Sequence, residues 1–144
     1  MKKGIIGVMA VCAALAMGQA LAQAQAPQPA QPESRARAGE VARAVFTSDI
    51  SEREPVDTLT ALQPGTPRVH FFTELHNLDG QTVIHRWEQG GQVVAEIPFN
   101  VRGSRWRVWS SKNVDSGTTG GWTVSVVDGA GNELARERIA PAAQ

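Results

Sequence analysis

Cysteine and methionine are scarce in this chain of 144 residues, which contains one cysteine, three methionines and no tyrosine. All four sulfur-bearing residues lie within the first 17 positions, and the cysteine is Cys12. If this segment is removed, the remaining chain can form no internal disulfide and offers no sulfur ligand to a soft metal such as copper. Such a domain must be stabilised by an apolar core, for which roughly 100 residues suffice.

Neither sign of charge is in excess. The chain has 14 Lys and Arg side chains and 14 Asp and Glu side chains. Without Lys2 and Lys3 the balance becomes 12 basic against 14 acidic groups, a formal net charge of −2. Because nucleic-acid-binding domains have a clear basic surplus, the composition excludes nucleic acid as an expected partner.

The first 22 residues have the pattern of an export signal. Lys2 and Lys3 precede an apolar run from Gly4 to Gly18, and small residues follow at Ala20 and Ala22. This order is typical of a signal peptide, here cleaved after Ala22, and it predicts a periplasmic protein. The apolar run is shorter than the roughly 20 residues that span a bilayer. The alternative is an uncleaved N-terminus that tethers the protein to the inner membrane.

Two regions follow the predicted signal peptide. Residues 23–39 are rich in Gln, Ala and Pro and contain no large apolar side chain, which predicts a disordered linker. From residue 40 to residue 140, short runs of β-branched and aromatic residues alternate with Gly, Asn, Asp and Pro. This pattern predicts one antiparallel β domain.

Seven strands are predicted in the domain, each bounded by residues that favour turns. Their number and one-sided alternation predict an all-β, immunoglobulin-like antiparallel β-sandwich. The segment from Ser48 to Pro67 has no clean alternation and is predicted as an exposed crossover. The seven predicted strands are Val41–Thr47, Arg68–Leu75, Thr82–Glu88, Gln92–Val101, Arg105–Ser111, Trp122–Val127 and Leu134–Ile139.

Alternation within the strands predicts which side chains are buried. Trp87 is predicted in the core. Pro98 requires an edge strand or a bulge, because it cannot donate to a sheet ladder. The other predicted buried positions are Val93, Ala95, Ile97, Phe99 and Val101 in the fourth strand and Trp122, Val124 and Val126 in the sixth.

Four motifs in the predicted strands resemble those of one bacterial family. They are R-V-H-F-F-T-E-L at Arg68–Leu75, H-R-W at His85–Trp87, R-W-R-V-W-S-S-K at Arg105–Lys112 and G-W-T-V-S-V-V-D-G at Gly121–Gly129. Together they resemble the bacterial domain-of-unknown-function family number 2914 over roughly Arg68 to Leu134. The resemblance implies an exported or membrane-attached bacterial protein, and it implies no activity and no catalytic or ligand residue.

The candidate binding residues lie between Arg105 and Lys112. Alternation places Arg105, Arg107 and Trp109 on one face of the strand. Guanidinium groups form paired hydrogen bonds with carboxylate or phosphate, and an indole ring can pack against a sugar or a cation. We therefore predict a ligand-binding surface of Arg105, Arg107, Trp109 and Lys112. In the alternative interpretation the arginine stems cover Trp109, and the guanidinium groups pair with Glu96 or Glu88.

Three histidines, His70, His76 and His85, raise the question of a metal site. His70 and His85 could bind one metal ion only if two adjacent strands placed them on the same face. The apolar pattern favours the strand register that places them on opposite faces. The H-x-H and H-x-x-x-H spacings are also absent. We predict no metal and no cofactor, and we expect His85 to be half-buried beside Trp87.

Two acidic segments invite comparison with calcium loops. Asn113 and Asp115 precede one turn, and the other segment runs from Asp128 to Glu133. Neither has the spaced oxygen ligands of a twelve-residue calcium loop. Both are predicted as turns.

The sequence contains no recognisable catalytic constellation. Ser110 and Ser111 lie near Lys112 without S-x-x-K spacing, and no G-x-S-x-G motif occurs. Glu74 and Glu88 could act as paired carboxylates only beside a cleft that a small sandwich rarely forms. We therefore predict a non-catalytic periplasmic module that contacts an anionic envelope component, either a protein or an anionic glycan. The alternative is a scaffold that docks a protein by an exposed strand edge, and an enzyme is the third hypothesis.

Overall fold

The computed structural model describes residues 38–115 and 120–143. Every regular element in this part is a β-strand, so the prediction of an all-β chain is confirmed there. The predicted signal peptide and most of the predicted linker lie outside the described residues. No helix in the described part is long and apolar enough to cross a bilayer. In chain order the strands are β1 (Glu40–Thr47), β2 (Ile50–Ser51), β3 (Glu54–Pro55), β4 (Ala61–Leu62), β5 (Arg68–His76), β6 (Thr82–Gln89), β7 (Gln92–Asn100), β8 (Arg105–Asn113), β9 (Trp122–Asp128) and β10 (Glu133–Pro141).

These strands form three sheets. One has three antiparallel strands in the order β1-β5-β8, and a second has five strands in the order β4-β10-β9-β6-β7. The third sheet is the short β2-β3 hairpin. Because β4 runs parallel to β10, the five-stranded sheet is mixed, which differs from the predicted wholly antiparallel arrangement.

All seven predicted strands are present, as β1 and β5 to β10, with ends within about two residues of the predicted ones. The three additional strands, β2 to β4, are two residues long and lie in the predicted crossover. Leu62 in β4 is buried, so the crossover is anchored to the core at that point. Short strands of this kind carry too little alternation to be recognised in a sequence.

The core lies between the two larger sheets. The Phe71 ring on β5 is 5.0 Å from the His85 ring on β6 and 6.4 Å from the Trp87 ring. Trp87 is fully buried, as predicted, and its ring lies 5.7 Å from that of Trp122 on β9. Full burial of one large apolar side chain stabilises the fold by about 1.5–3 kcal/mol. The predicted inward positions Val124 and Val126 are also fully buried.

Strand β7 is the end strand of the five-stranded sheet, so Pro98 occupies the predicted edge position. The prediction for Val93 is wrong, because this side chain is 53% exposed. Trp87 pairs with Ala95, whereas the next residue, Glu88, pairs with Val93. The extra residue between them is a β-bulge that places Val93 on the outer side with Glu88, while Ala95 stays on the core side.

Candidate functional site

The outer face of the three-stranded sheet carries three of the four predicted binding residues. On β8, Arg105, Arg107 and Trp109 are in register with His76, Glu74 and Phe72 of β5. Val108 and Ser110, the residues on either side of Trp109, are buried, so the predicted alternation of this part of the strand is confirmed. Lys112 is in register with the fully buried Val69, which points to the core. The Lys112 side chain therefore belongs to the opposite face of the sheet and is not part of the predicted binding face.

Glu74 is the centre of an ion-pair network on this face. Its carboxylate accepts hydrogen bonds from Arg105 Nε and Nη2 at 2.8 and 3.0 Å and from Arg43 Nη2 at 3.1 Å. His76 Nε2 lies 2.9 Å from the same carboxylate. The side chain of Glu74 is only 9% exposed. The hydrogen bonds from Arg105, which outweigh the opposing effect of burial, lower the pKa of Glu74 to about 2.

A second carboxylate, that of Glu54 on β3, belongs to the same network and binds two of its arginines. It accepts a hydrogen bond from Arg43 Nη2 at 2.6 Å and another from Arg107. The hydrogen bond from Arg43 is the main reason why the pKa of Glu54 is lowered. Arg43 also lies over the ring of Phe72, with 4.7 Å between the guanidinium carbon and the ring centroid. The β2-β3 hairpin is thus fastened across the outer face, and Phe72 beneath it is fully buried.

The expected partners of the arginines are corrected by this arrangement. Glu96 accepts a hydrogen bond from Arg86 at 2.7 Å, and the nearest guanidinium to Glu88 is that of Arg136, at 3.7 Å. Both carboxylates lie on the five-stranded sheet, whereas β8 pairs with β5 in the other sheet. For the same reason Glu74 and Glu88 do not form a carboxylate pair.

The contributions of Glu54 and Glu74 were not predicted from the sequence. Glu54 lies in a segment without alternation, and the partner of Glu74 is 31 positions away in sequence. Patterns among neighbouring residues cannot reveal contacts between residues that are so far apart in sequence. The two carboxylates neutralise most of the charge of three arginines, Arg43, Arg105 and Arg107. Trp109, 37% exposed, remains as the large unpaired side chain of the face.

A shallow apolar depression opens beside Trp109, between the two larger sheets. It has a volume of about 280 Å³ and is lined by Phe99 of β7 and by residues 106–109 of β8. Strands β7 and β8 are end strands of their respective sheets, so both have one unpaired edge in the described part of the chain. Val93, Val94 and Trp109 on these strands are three of the four large apolar side chains that are exposed there; the fourth is Val56.

His85 is fully buried rather than half-buried, which corrects the expectation for this residue. Its Nε2 lies 2.9 Å from Thr73 Oγ1, and its Nδ1 lies 2.8 Å from Ser110 Oγ. Trp87 Nε1 donates to the same Ser110 oxygen at 2.9 Å. Burial lowers the pKa of His85 to about 3, so the ring is neutral at ordinary pH. The chain of hydrogen bonds joins the two sheets within the core.

The other two histidines lie apart from His85. His70 Nδ1 is 3.1 Å from the carbonyl oxygen of Ser48, and His76 contacts Glu74. Since β5 and β6 belong to different sheets, they are not the adjacent pair that the metal hypothesis considered. Within residues 38–115 and 120–143, no group of three potential His, Cys, Asp or Glu ligands converges.

The acidic segment at Asp128 forms a turn. Its Oδ1 accepts the backbone N–H groups of Ala130 and Asn132, both at 2.9 Å, and Oδ2 accepts from the Asn132 side chain at 2.8 Å. These hydrogen bonds, led by that from the Asn132 side chain, lower the pKa of Asp128. The carboxylate is therefore occupied by the turn itself.

Part of the chain matches a known family. Residues 80–138, which contain most of β6 to β10, match the family described as "Protein of unknown function (DUF2914)". This is the family that the sequence motifs resemble, so that prediction is confirmed for this part of the chain. The motif at Arg68–Leu75 lies before the matched residues. No curated protein matches the chain.

Proposed function

We propose that the protein is a non-catalytic interaction module of the bacterial periplasm. In this proposal residues 1–22 are a signal peptide cleaved after Ala22, and an uncleaved N-terminus tethered to the inner membrane is the alternative. The fold is proposed to be an immunoglobulin-like β-sandwich. Its support is that the two larger sheets pack face to face through Phe71, Trp87 and His85.

The proposed contact surface is the β7-β8 flank, which we define as Val93, Val94, Phe99, Trp106 and Trp109. One observation carries this proposal: two unpaired sheet edges border the same apolar depression. Unpaired strand edges offer rows of backbone donors and acceptors, and proteins usually protect them with charge, proline or bulges. Strand β7 has such protection, namely Pro98 and the bulge beside Val93. Strand β8 pairs along nine residues with β5 without any irregularity and is the more accessible edge.

The proposed partner is an extended protein segment that adds to the edge of β8. Main-chain hydrogen bonds would supply affinity, and an apolar side chain seated between Phe99 and Trp106 would supply specificity. Aromatic side chains such as Trp109 commonly contribute a large share of the binding energy at such contacts. This is the strand-edge mode of interaction, and it does not require the arginines to leave their carboxylates.

The arrangement of Ser110 and His85 supports a non-catalytic role. These two side chains form a hydrogen bond of the kind found in hydrolases, but His85 is fully buried and Ser110 is almost so. A nucleophile must reach its substrate, and both nitrogens of this histidine already have partners in the core. We assign the pair to stability.

The proposal can be tested by selecting peptides from a phage-displayed random library on the exported protein. Enriched peptides are expected to shift backbone amide resonances of β8 and of residues around Phe99. Trp109→Ala should weaken their binding about tenfold or more, because an aromatic contact at the centre of the surface is lost. The matched control is Val56→Ala, whose side chain is 52% exposed but lies outside the flank, and it should bind like the wild type.

A second experiment separates strand addition from simple apolar contact. Successive residues of an edge strand direct their N–H groups alternately to the neighbouring strand and to the free side. Of Ser111→Pro and Lys112→Pro, one therefore breaks a hydrogen bond to β5 and the other removes only a free N–H. The variant that keeps its circular dichroism spectrum should lose peptide binding. Undiminished binding by that variant, or peptides that shift resonances only elsewhere, would refute the proposal.

Contact with an anionic envelope component is a second candidate for the outer face of the three-stranded sheet. It is favoured by the Arg105 side chain, which is 59% exposed despite its bonds to Glu74. An anion could share this guanidinium, as charge-assisted hydrogen bonds to Arg are strong. Arg105→Ala would abolish such binding and leave the selected peptides unaffected, so it distinguishes the two candidates.

A further inference from the structure

A second cleft lies on the outer side of the five-stranded sheet. It forms where the β6-β7 turn and the segment before β9 approach β10, and its volume is about 430 Å³. Its side chains are those of Glu88, Thr123, Arg136 and Arg138, and the remaining lining is backbone of glycines at 90–91 and 120–121. In the sheet, Thr123 pairs with both Glu88 and Arg138, so the three side chains stand in one row.

One of the two positive charges that line the cleft has no carboxylate partner among the described residues. Arg136 lies 3.1 Å from Glu133 and 3.7 Å from Glu88. Arg138, in contrast, has no carboxylate within ion-pair distance among the described residues, and its side chain is exposed. The two arginines are two positions apart on β10, so their Cα atoms are roughly 6 to 7 Å apart and both side chains leave the same face. Two guanidinium groups at this spacing can converge on one small anion.

The glycines leave main-chain groups uncovered at the border of this cleft. Gly90 and Gly91 have φ angles of 59° and 81°, as a two-residue hairpin turn requires. Gly120 has no such requirement, because its φ is not positive and an added Cβ would meet no atom within 4 Å. Nothing among the described residues therefore demands glycine at position 120. A side chain there would narrow the cleft, and its absence keeps the cleft open.

We propose that this cleft binds a phosphate group, with Arg136 and Arg138 as the charged ligands and glycine backbone N–H groups as neutral donors. Guanidinium forks match phosphate oxygens geometrically, and uncovered backbone N–H groups are frequent phosphate ligands. The negative charge of Glu88 repels the anion and therefore lowers the affinity of the cleft for it. The proposal does not depend on the proposed strand-edge function, since the cleft shares no residue with the β7-β8 flank.

The test uses inorganic phosphate as the probe, titrated at constant ionic strength into the exported protein labelled with nitrogen-15. Amide resonances of the four glycines are expected to shift and saturate. Arg138→Ala should lower the affinity about tenfold or more, since it removes a charged hydrogen bond. Glu88→Gln should raise the affinity, because it removes the opposing charge. Arg102→Ala, which removes an exposed cation after the far end of β7, is the matched control and should bind phosphate like the wild type.

Two further measurements complete the test. Gly120→Leu should retain the wild-type circular dichroism spectrum and lose phosphate binding, since its Cβ meets open space and its longer side chain occupies the cleft. Sedimentation with phosphatidylglycerol vesicles, but not with phosphatidylcholine vesicles, would assign the phosphate to an anionic lipid, whereas binding of glycerol phosphate alone would assign it to a soluble ester. Glycine shifts that do not saturate, or an equal loss of affinity in Arg102→Ala, would overturn the proposal.

Discussion

His85 Nδ1 on β6 lies 2.8 Å from Ser110 Oγ on β8, and this contact joins the two larger sheets through their core. Thr73 on β5 contacts the other ring nitrogen, so the neutral imidazole is satisfied on both sides. A buried polar group with complete hydrogen bonds fixes one arrangement of its neighbours, because any shift leaves a donor or acceptor unpaired. The relative position of the sheets is thereby specified beyond what apolar packing requires.

Stability should fall in mildly acidic solution because of His85. Burial lowers the pKa of His85 from 6.5 to about 3, so the unfolded chain takes up this proton first. The contribution of the neutral His85 ring to the free energy of unfolding is complete above pH 6.5. It is lost as the pH falls towards 3, with a slope of about 1.4 kcal/mol per pH unit. Urea unfolding of the wild type should therefore show a free energy of unfolding about 2 kcal/mol lower at pH 5 than at pH 7.

The variant that tests this prediction is His85→Gln. It removes the buried titrating ring and should flatten the pH dependence between 7 and 5, although it also lowers stability at every pH. An identical slope in the His85 variant and the wild type would show that another group is responsible.

Glu74→Gln should destabilise the protein by about 1–3 kcal/mol at pH 7, measured by urea unfolding. The carboxylate is nearly buried and accepts hydrogen bonds from Arg105 and Arg43, and the neutral amide cannot replace both. Since the pKa of Glu74 is lowered from 4.5 to about 2, the wild-type advantage should shrink as the pH falls through this interval.

Glu96→Gln is the control for Glu74. The Arg86–Glu96 pair has a comparable distance, 2.7 Å, but its side chains are 34% and 49% exposed. Exposed pairs contribute about 0–1 kcal/mol, so this variant should be nearly neutral. Equal effects of the two substitutions would mean that burial does not decide the strength of the network.

Local patterns in the sequence were sufficient to predict the seven long strands and several of their faces. Alternation places Trp87 in the core and Arg105 and Trp109 on the outer side of β8, and both follow from side chains pointing alternately to opposite sides. The edge position of Pro98 follows from its missing N–H group. Each of these inferences needs only a few neighbouring residues.

Pairing between strands was beyond such local patterns. The sequence does not show that β8 pairs with β5, and therefore that Glu74 rather than Glu96 is the partner of Arg105. It also cannot show the bulge that exposes Val93, since a single extra residue shifts the register without changing the composition. The full burial of His85 likewise depends on Thr73 and Ser110 from distant strands.

Gly121→Ala should destabilise the protein by about 1–3 kcal/mol. Gly121 has a φ of 75°, and an added Cβ would collide with the carbonyl oxygen of Ile139 and lie 2.7 Å from the Cα of Ala140. Gly120→Ala is the control, because its added Cβ meets open space, and its melting temperature should match that of the wild type. A stable Gly121 variant would show that β9 and β10 can separate at this point without loss.

The two buried tryptophans should respond differently to replacement by phenylalanine. Trp87 and Trp122 pack edge to face and are 0% and 6% exposed, so the loss of indole volume costs a similar amount at each site. Trp87 Nε1 donates to Ser110, whereas Trp122 Nε1 has no hydrogen-bond partner among the described residues. Trp87→Phe therefore removes one of the two hydrogen bonds of the buried Ser110 hydroxyl, and Trp122→Phe removes a polar group that was already unpaired. Urea unfolding should show Trp87→Phe to be less stable than Trp122→Phe by about 1–2 kcal/mol. If Trp122→Phe proves equally destabilising, its indole N–H is making an interaction that the described residues do not account for.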